Sequence, residues 1–195
     1  MSTNKFPDEV GASYFDDPLK KDELLQIVKN PQVLVAAEVQ SKLFLAGYEK
    51  VLFEYLSHHS LYEANQHLLF EEGNEKVMEF FLEHWVLGSI YEAKLCEPQY
   101  RSRWLLKYLE YHNFADNSNE MLLYGEGMDE YRRFYIRQTD FHSREAELKL
   151  IEPQYHDDLR LYVELRRRFF KDQIEYFIEN ADPSIVALYK QLNKY

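Results

Sequence analysis

Seven His, 34 Asp and Glu and a single Cys carry whatever side-chain chemistry this 195-residue chain can perform. Glu54 with His58, Glu79 with His84, the adjacent His58 and His59, and His142 with His156 are the combinations in which an imidazole and a carboxylate could share a divalent ion. His58 and His84 stand 26 residues apart and His112 falls near the same interval, each at the end of a helical stretch. There an imidazole bonds to free carbonyls or complements the helix dipole. Rings on successive helices about 8–10 Å apart cannot meet on one ion that needs ligand atoms about 2 Å away, and the Glu-x-x-His pairs of di-iron bundles are missing. No metal site and no cofactor are therefore predicted. Cys96 cannot form an intrachain disulfide and sits where Phe44 and Phe70 sit in related segments, so it reads as a small buried hydrophobe. The chain holds no GxSxG, GxxxxGK[ST], HExxH or GxGxxG. It is read as a non-enzyme, with a helical metalloenzyme using His and carboxylates as the alternative.

Charge is the stronger signal. The net charge is −11, and Tyr62–Glu97 alone carries eight acidic and two basic residues. Glu71, Glu72, Glu75, Glu79 and Glu83 form a run interrupted by one basic residue, Lys76. Such a run is either a solvated face or a surface that steers a basic partner. With Trp85 and Tyr111, of the residue types enriched at interface hot spots, these five Glu are the candidate partner-binding residues. The charge argues against nucleic acid, whose binding rests on neutralising phosphates with Lys and Arg. Arg160, Arg166, Arg167, Arg168 and Lys171 crowd one late stretch, which either caps the fold or receives an acidic segment. No apolar run approaches the roughly 18 residues of a membrane span. Met1–Asp17 has one Lys and no apolar signal-peptide core, so no membrane partner and a cytoplasmic location are expected.

These residues must be positioned by helices. Six Gly and six Pro are few breakers, 16% of the residues are aromatic, and no alternating strand pattern or hairpin dipeptide occurs. The chain also repeats itself. Tyr48–Leu61 (YEKVLFEYLSHHSL) returns as Asn74–Leu87 (NEKVMEFFLEHWVL), and its frame continues downstream. Tyr55, Phe81, Tyr108 and Tyr135 form one column; Leu56, Leu82, Leu109 and Ile136 a second; Leu61, Leu87, Phe114 and Phe141 a third. Upstream, Leu43, Leu69, Leu95 and Leu122 are expected to form a fourth, followed by Phe44, Phe70, Cys96 and Leu123. Gly47, Gly73, Pro98, Gly127 and Pro153 fall near one position between the two sets. Each unit then reads as a helix, a Gly or Pro turn and a second helix. The prediction is an all-α fold: a short α-solenoid of about five helical hairpins, period 26–27 residues, with helical caps. Residues 1–30 form an irregular lead and capping helix, 31–180 the array and 181–195 a closing helix. The third unit fits least well, and the fifth places Arg168 where an apolar residue is expected.

Units of the form EA-x-x-x-LL-x-x-x-GNEK followed by an aromatic-rich helix ending in His-x-x-Leu, best seen over Glu63–Leu87, resemble the tandem helical-hairpin arrays of bacterial proteins in the broad HEAT, armadillo and tetratricopeptide class. The likeness covers Pro31–Arg168; the 34-residue tetratricopeptide pattern itself is not met. The resemblance implies a scaffold that binds another macromolecule on an extended face. The expected function is a protein–protein interaction module with a basic protein or peptide partner, such as an immunity or antitoxin protein would have. A structural homo-oligomer subunit is the other non-catalytic alternative.

Overall fold

The computed structural model describes residues 9–193. The first eight residues of the predicted lead, and residues 194 and 195 of the closing helix, lie outside the described residues. The protein is mostly helical, as its few breakers require. Among the described residues the extended structure is one pair of two-residue strands, β1 (Glu9–Val10) parallel to β2 (Leu34–Val35). Two compact units divide the chain, residues 1–88 and residues 89–195.

In the first unit, α1 (Lys21–Ile27) packs on α3 (Glu49–Leu56), while α2 (Ala37–Gln40) runs on into a 3₁₀ turn, Ser41–Phe44. A 3₁₀ segment, Glu63–Phe70, precedes α4 (Glu75–His84) and packs on it. The sequence of α4 shows why it forms. Val77, Met78, Phe81 and Leu82 make one apolar stripe, all buried. Glu75 lies in the first turn and His84 in the last, each matching the helix dipole.

The second unit carries α5 (Ser89–Leu95), then the short α6 (Pro98–Tyr100), a π-helical turn Arg101–Leu105 and α7 (Leu106–Tyr111). A 3₁₀ segment, Asn117–Tyr124, leads to α8 (Asp129–Gln138); α9 (Arg144–Leu150) leads to α10 (His156–Glu164). The 3₁₀ turn Lys171–Gln173 opens α11 (Ile174–Asn180), and α12 (Pro183–Asn193) ends the described chain. Within this unit α8 packs on α7 and α10, and α12 packs on α10.

The aromatic columns are buried. Tyr55, Phe81, Tyr108, Tyr135 and Tyr162 are each at most 2% exposed. Tyr189 extends this spacing by another 27 residues and is also buried. Two expectations need correcting. Leu122 is 37% exposed, whereas Leu123 is fully buried together with Leu43, Leu69, Leu95 and Leu150; the linker before Asn117 is one residue longer than the repeat period allows. Arg168 does not replace a core residue either. Phe169 fills that role at 8% exposure, and the extra residue between Tyr162 and Phe169 is absorbed at Arg166, whose φ of +56° is left-handed. The second shift accounts for the poor fit of the fifth unit.

The glycine turns behave as expected. Gly47, Gly73 and Gly127 have φ of +85°, +91° and +70°, a region L side chains avoid, while Pro98 and Pro153 open the next helical turn. A Cβ at Gly73 meets nothing within 4 Å, so only backbone strain opposes Gly73→Ala. It should cost about 1 kcal/mol in chemical unfolding, and an unchanged midpoint would refute the strain argument.

Candidate functional site

The predicted acidic residues surround α4. Glu75, Glu79 and Glu83 follow each other at four-residue spacing on that helix, and Glu71 and Glu72 lie in the turn before it. Glu71, Glu72 and Glu79 are exposed; Glu75 and Glu83 are half-buried. Trp85 is half-buried and its indole Nε1 donates to the Leu56 carbonyl at 2.6 Å, so it pins the end of α3. Tyr111 is 51% exposed at the end of α7. The five Glu and Trp85 therefore belong to the first unit and Tyr111 to the second.

The His residues hold structural posts. His84 Nδ1 lies 2.8 Å from the Phe80 carbonyl, as the end-of-helix reading expects, but His58 pairs instead with Glu54 at 3.6 Å. His59 stacks on Tyr55, and burial lowers its pKa. Among the described residues no group of three or more His, Cys, Asp and Glu is placed to hold a metal ion. Burial pushes the Cys96 thiol up to about 12, which leaves almost no thiolate at neutral pH.

A set of buried polar side chains escaped the sequence reading. Gln40, Gln66, Glu92, Glu120 and Glu147 are at most 4% exposed, and each stands three residues before a buried Leu. That spacing is one 3₁₀ turn, which puts the polar group and the Leu on the same side and suits the 3₁₀ form of Glu63–Phe70 and Asn117–Tyr124. Each side chain accepts backbone N–H groups from the start of the following segment. Gln40 Oε1 takes Tyr62 N at 3.0 Å and Gln66 Oε1 takes Gly88 N at 2.8 Å. Glu92 takes Ala115 N and Asp116 N at 2.6 and 3.2 Å. Glu120 takes His142 N and Ser143 N at 2.9 and 2.7 Å, and Glu147 takes Phe170 N at 2.9 Å. The column tyrosines complete the set: Tyr108 and Tyr135 donate to Glu92 and Glu120 at 2.5 and 2.6 Å, and Tyr55 accepts from Gln40 at 2.9 Å. Burial raises the Tyr135 and Tyr162 hydroxyls, and it raises the Glu147 carboxyl to about 7. A second rung recurs beside the first. Asn65 Nδ2 donates to Ala37 O, Asn119 Nδ2 to Ser89 O and Gln173 Nε2 to Arg144 O. The signal in the sequence was Gln or Glu three residues before Leu at the repeat period.

One charged cluster reaches deep into the second unit: Asp158 pairs with Arg132 and, at 2.6 Å, with Arg133, and the exposed Asp129 adds a second carboxylate to Arg132 at 2.6 Å. Arg132 and Asp158 are both 3% exposed; Nε and Nη2 of Arg132 reach Asp158 Oδ2 at 2.7 and 2.5 Å. Nη1 donates to Leu123 O at 2.9 Å, and the guanidinium lies 5.3 and 4.6 Å from the Tyr124 and Tyr155 ring centres. Its hydrogen-bonding capacity is taken up inside the fold. Arg167, from the basic stretch, donates to the carbonyls of Ile136 and Arg137 at the end of α8, where a cation complements the helix dipole.

One feature that faces outward is a groove of about 750 Å³ along α9 and α11. Leu148, 36% exposed, and Tyr176, 49% exposed, give it an apolar surface. Arg144, Glu145, Lys149, Glu152 and Asp172 line its polar part. Both cations are engaged, Arg144 with Asp172 at 2.7 Å and Lys149 with Glu152 at 2.8 Å; Lys149 also holds the Glu152 carboxyl below its usual range. Gln173 is the most deeply buried residue of the lining, at 6% exposure, and its Oε1 has no hydrogen-bond partner. Sequence reasoning missed this groove, because Leu148 and Tyr176 look like core residues on short amphipathic helices.

Against known proteins, the chain matches no family model, no curated protein and no solved structure. Among the described residues no helix is long and apolar enough to cross a membrane.

Proposed function

We propose that this protein is a non-enzymatic interaction module, a tandem array of helical hairpins that holds a protein or peptide partner. The observation that carries the reading is the α9–α11 groove, where Leu148 and Tyr176 stay exposed beside a buried acceptor that nothing fills. An exposed aromatic and an exposed aliphatic side chain in one concave surface are what a partner's anchor residue requires. The buried carboxylates Glu92, Glu120 and Glu147 are already bonded to backbone N–H groups, which gives them a structural task.

The repeat supports the same reading. Five segments carry the buried Gln or Glu that receives the amides of the next segment, and the sixth carries Ile174, three residues before the buried Phe177. Among the described residues α12 is the last helix. Tyr189 continues the column spacing and is buried. The acidic face around α4 and the net charge of −11 favour a basic partner over nucleic acid.

The test is affinity isolation from native lysate at several salt concentrations, using the wild type and a Leu148→Asp, Tyr176→Ala double variant. A discrete protein should be retained by the wild type, released progressively by salt, and lost by the variant. Recovery of no protein at any salt, or a purified chain with a stoichiometric bound metal and turnover, would overturn the reading.

A further inference from the structure

The geometry points to one class of occupant for the α9–α11 groove: an extended basic peptide with a single large apolar side chain seated between Leu148 and Tyr176. This inference rests on the interaction-module reading and names its ligand. Three features of the groove specify the peptide. Leu148 and Tyr176 provide an apolar slot for one side chain, and a groove of about 750 Å³ has room for a few residues. Charge supplies the second feature. Arg144 and Lys149 are neutralised by Asp172 and Glu152, whereas Glu145 lines the groove with no ion-pair partner among the described residues. Glu175 and Glu179, exposed on α11, add the same sign, so Lys or Arg beside the anchor is favoured.

Gln173 supplies the third feature. Its Nε2 is fixed on Arg144 O at 3.1 Å, and its buried Oε1 lacks a donor. A buried acceptor without a partner is unfavourable. Elsewhere in this chain the amide oxygens of Gln40 and Gln66 accept a backbone N–H. For a backbone N–H of the bound peptide to do the same for Gln173, the amide must turn its buried Oε1 toward the groove.

Fluorescence anisotropy on the full chain tests this with a labelled peptide Gly-Arg-Lys-Leu-Arg-Lys-Gly, its analogue with Asp in place of Leu, its analogue with Glu in place of Arg and Lys, and its analogue N-methylated at Leu. The first peptide should bind saturably, and each analogue should bind at least tenfold more weakly. Leu148→Asp and Glu145→Lys should each weaken the first peptide tenfold or more. Tyr176→Ala, at a half-exposed site, serves as a second variant with an intact fold by circular dichroism and should act in the same direction. No saturable binding, or binding indifferent to Leu148, Tyr176 and Glu145, would overturn the inference. If a native protein is still recovered and Leu148→Asp does not release it, the module reading stands and the groove assignment falls; if nothing is recovered, the module reading itself fails.

Discussion

Asp158→Ala should destabilise the protein by about 3 kcal/mol in urea unfolding followed by circular dichroism, because it removes the buried one of the two carboxylates on the Arg132 guanidinium and leaves only the exposed Asp129, 2.6 Å from Nη2. Arg132 is 3% exposed, and two of its nitrogens bond to Asp158. The aromatic rings of Tyr124 and Tyr155 beside it ease that burial by about 1–2 kcal/mol at most. The repeat shows what the pair displaces. Arg132 stands where Leu52, Met78, Leu105 and Leu159 stand, and Asp158 where Val51, Val77, Trp104 and Tyr131 stand, all of them buried. The double variant Arg132→Leu, Asp158→Val should therefore fall within about 2 kcal/mol of the wild type, since apolar pairs commonly replace buried ion pairs without loss; the Leu123 carbonyl, which loses its Arg132 donor, sets most of that margin. A single-variant loss below about 1 kcal/mol would show that Arg132 does not depend on Asp158, with Asp129 or water meeting its charge.

The second large effect is one of pH. Burial, with Asp140 and Asp172 nearby, raises the Glu147 carboxyl from 4.5 to about 7, against the Phe170 N–H and the Tyr162 hydroxyl, which favour the ionised form. The folded protein then binds more protons than the unfolded chain between those two values. Stability falls as pH rises through that window and is lower above it by up to about 3 kcal/mol. Glu147→Gln removes the titrating group and keeps the contacts, since Gln40 shows the pattern: its Oε1 accepts Tyr62 N and its Nε2 donates to the Tyr55 hydroxyl. The variant should match the wild type near pH 4.5 and exceed it at pH 8 in urea unfolding. Parallel pH profiles for the two proteins would sink this account.

The aromatic columns could be read from spacing alone, because a large apolar side chain that returns every 26 or 27 residues has few places to go but inward. Tyr55, Phe81, Tyr108 and Tyr135 are buried as that logic requires. The same logic misplaced Leu122 and Arg168, since counting cannot see a one-residue linker difference or a left-handed residue such as Arg166. It also passed over Glu92, Glu120 and Glu147. A Glu on a helix reads as solvated unless its partner is known, and here the partners are backbone amides 22–24 residues away. The groove was illegible for a related reason. Whether Leu148 and Leu150 face inward or outward depends on which neighbour packs against α9, and only Leu150 is buried.

The Gln and Glu clasps point one way along the chain. In every case the acceptor side chain precedes the amides it holds, by 22–24 residues. During synthesis, at about 5–20 residues per second, each acceptor leaves the ribosome roughly one to five seconds before its donors. Each clasp can thus close behind the growing end as soon as the next linker emerges, and a halted nascent chain presents at most one open clasp.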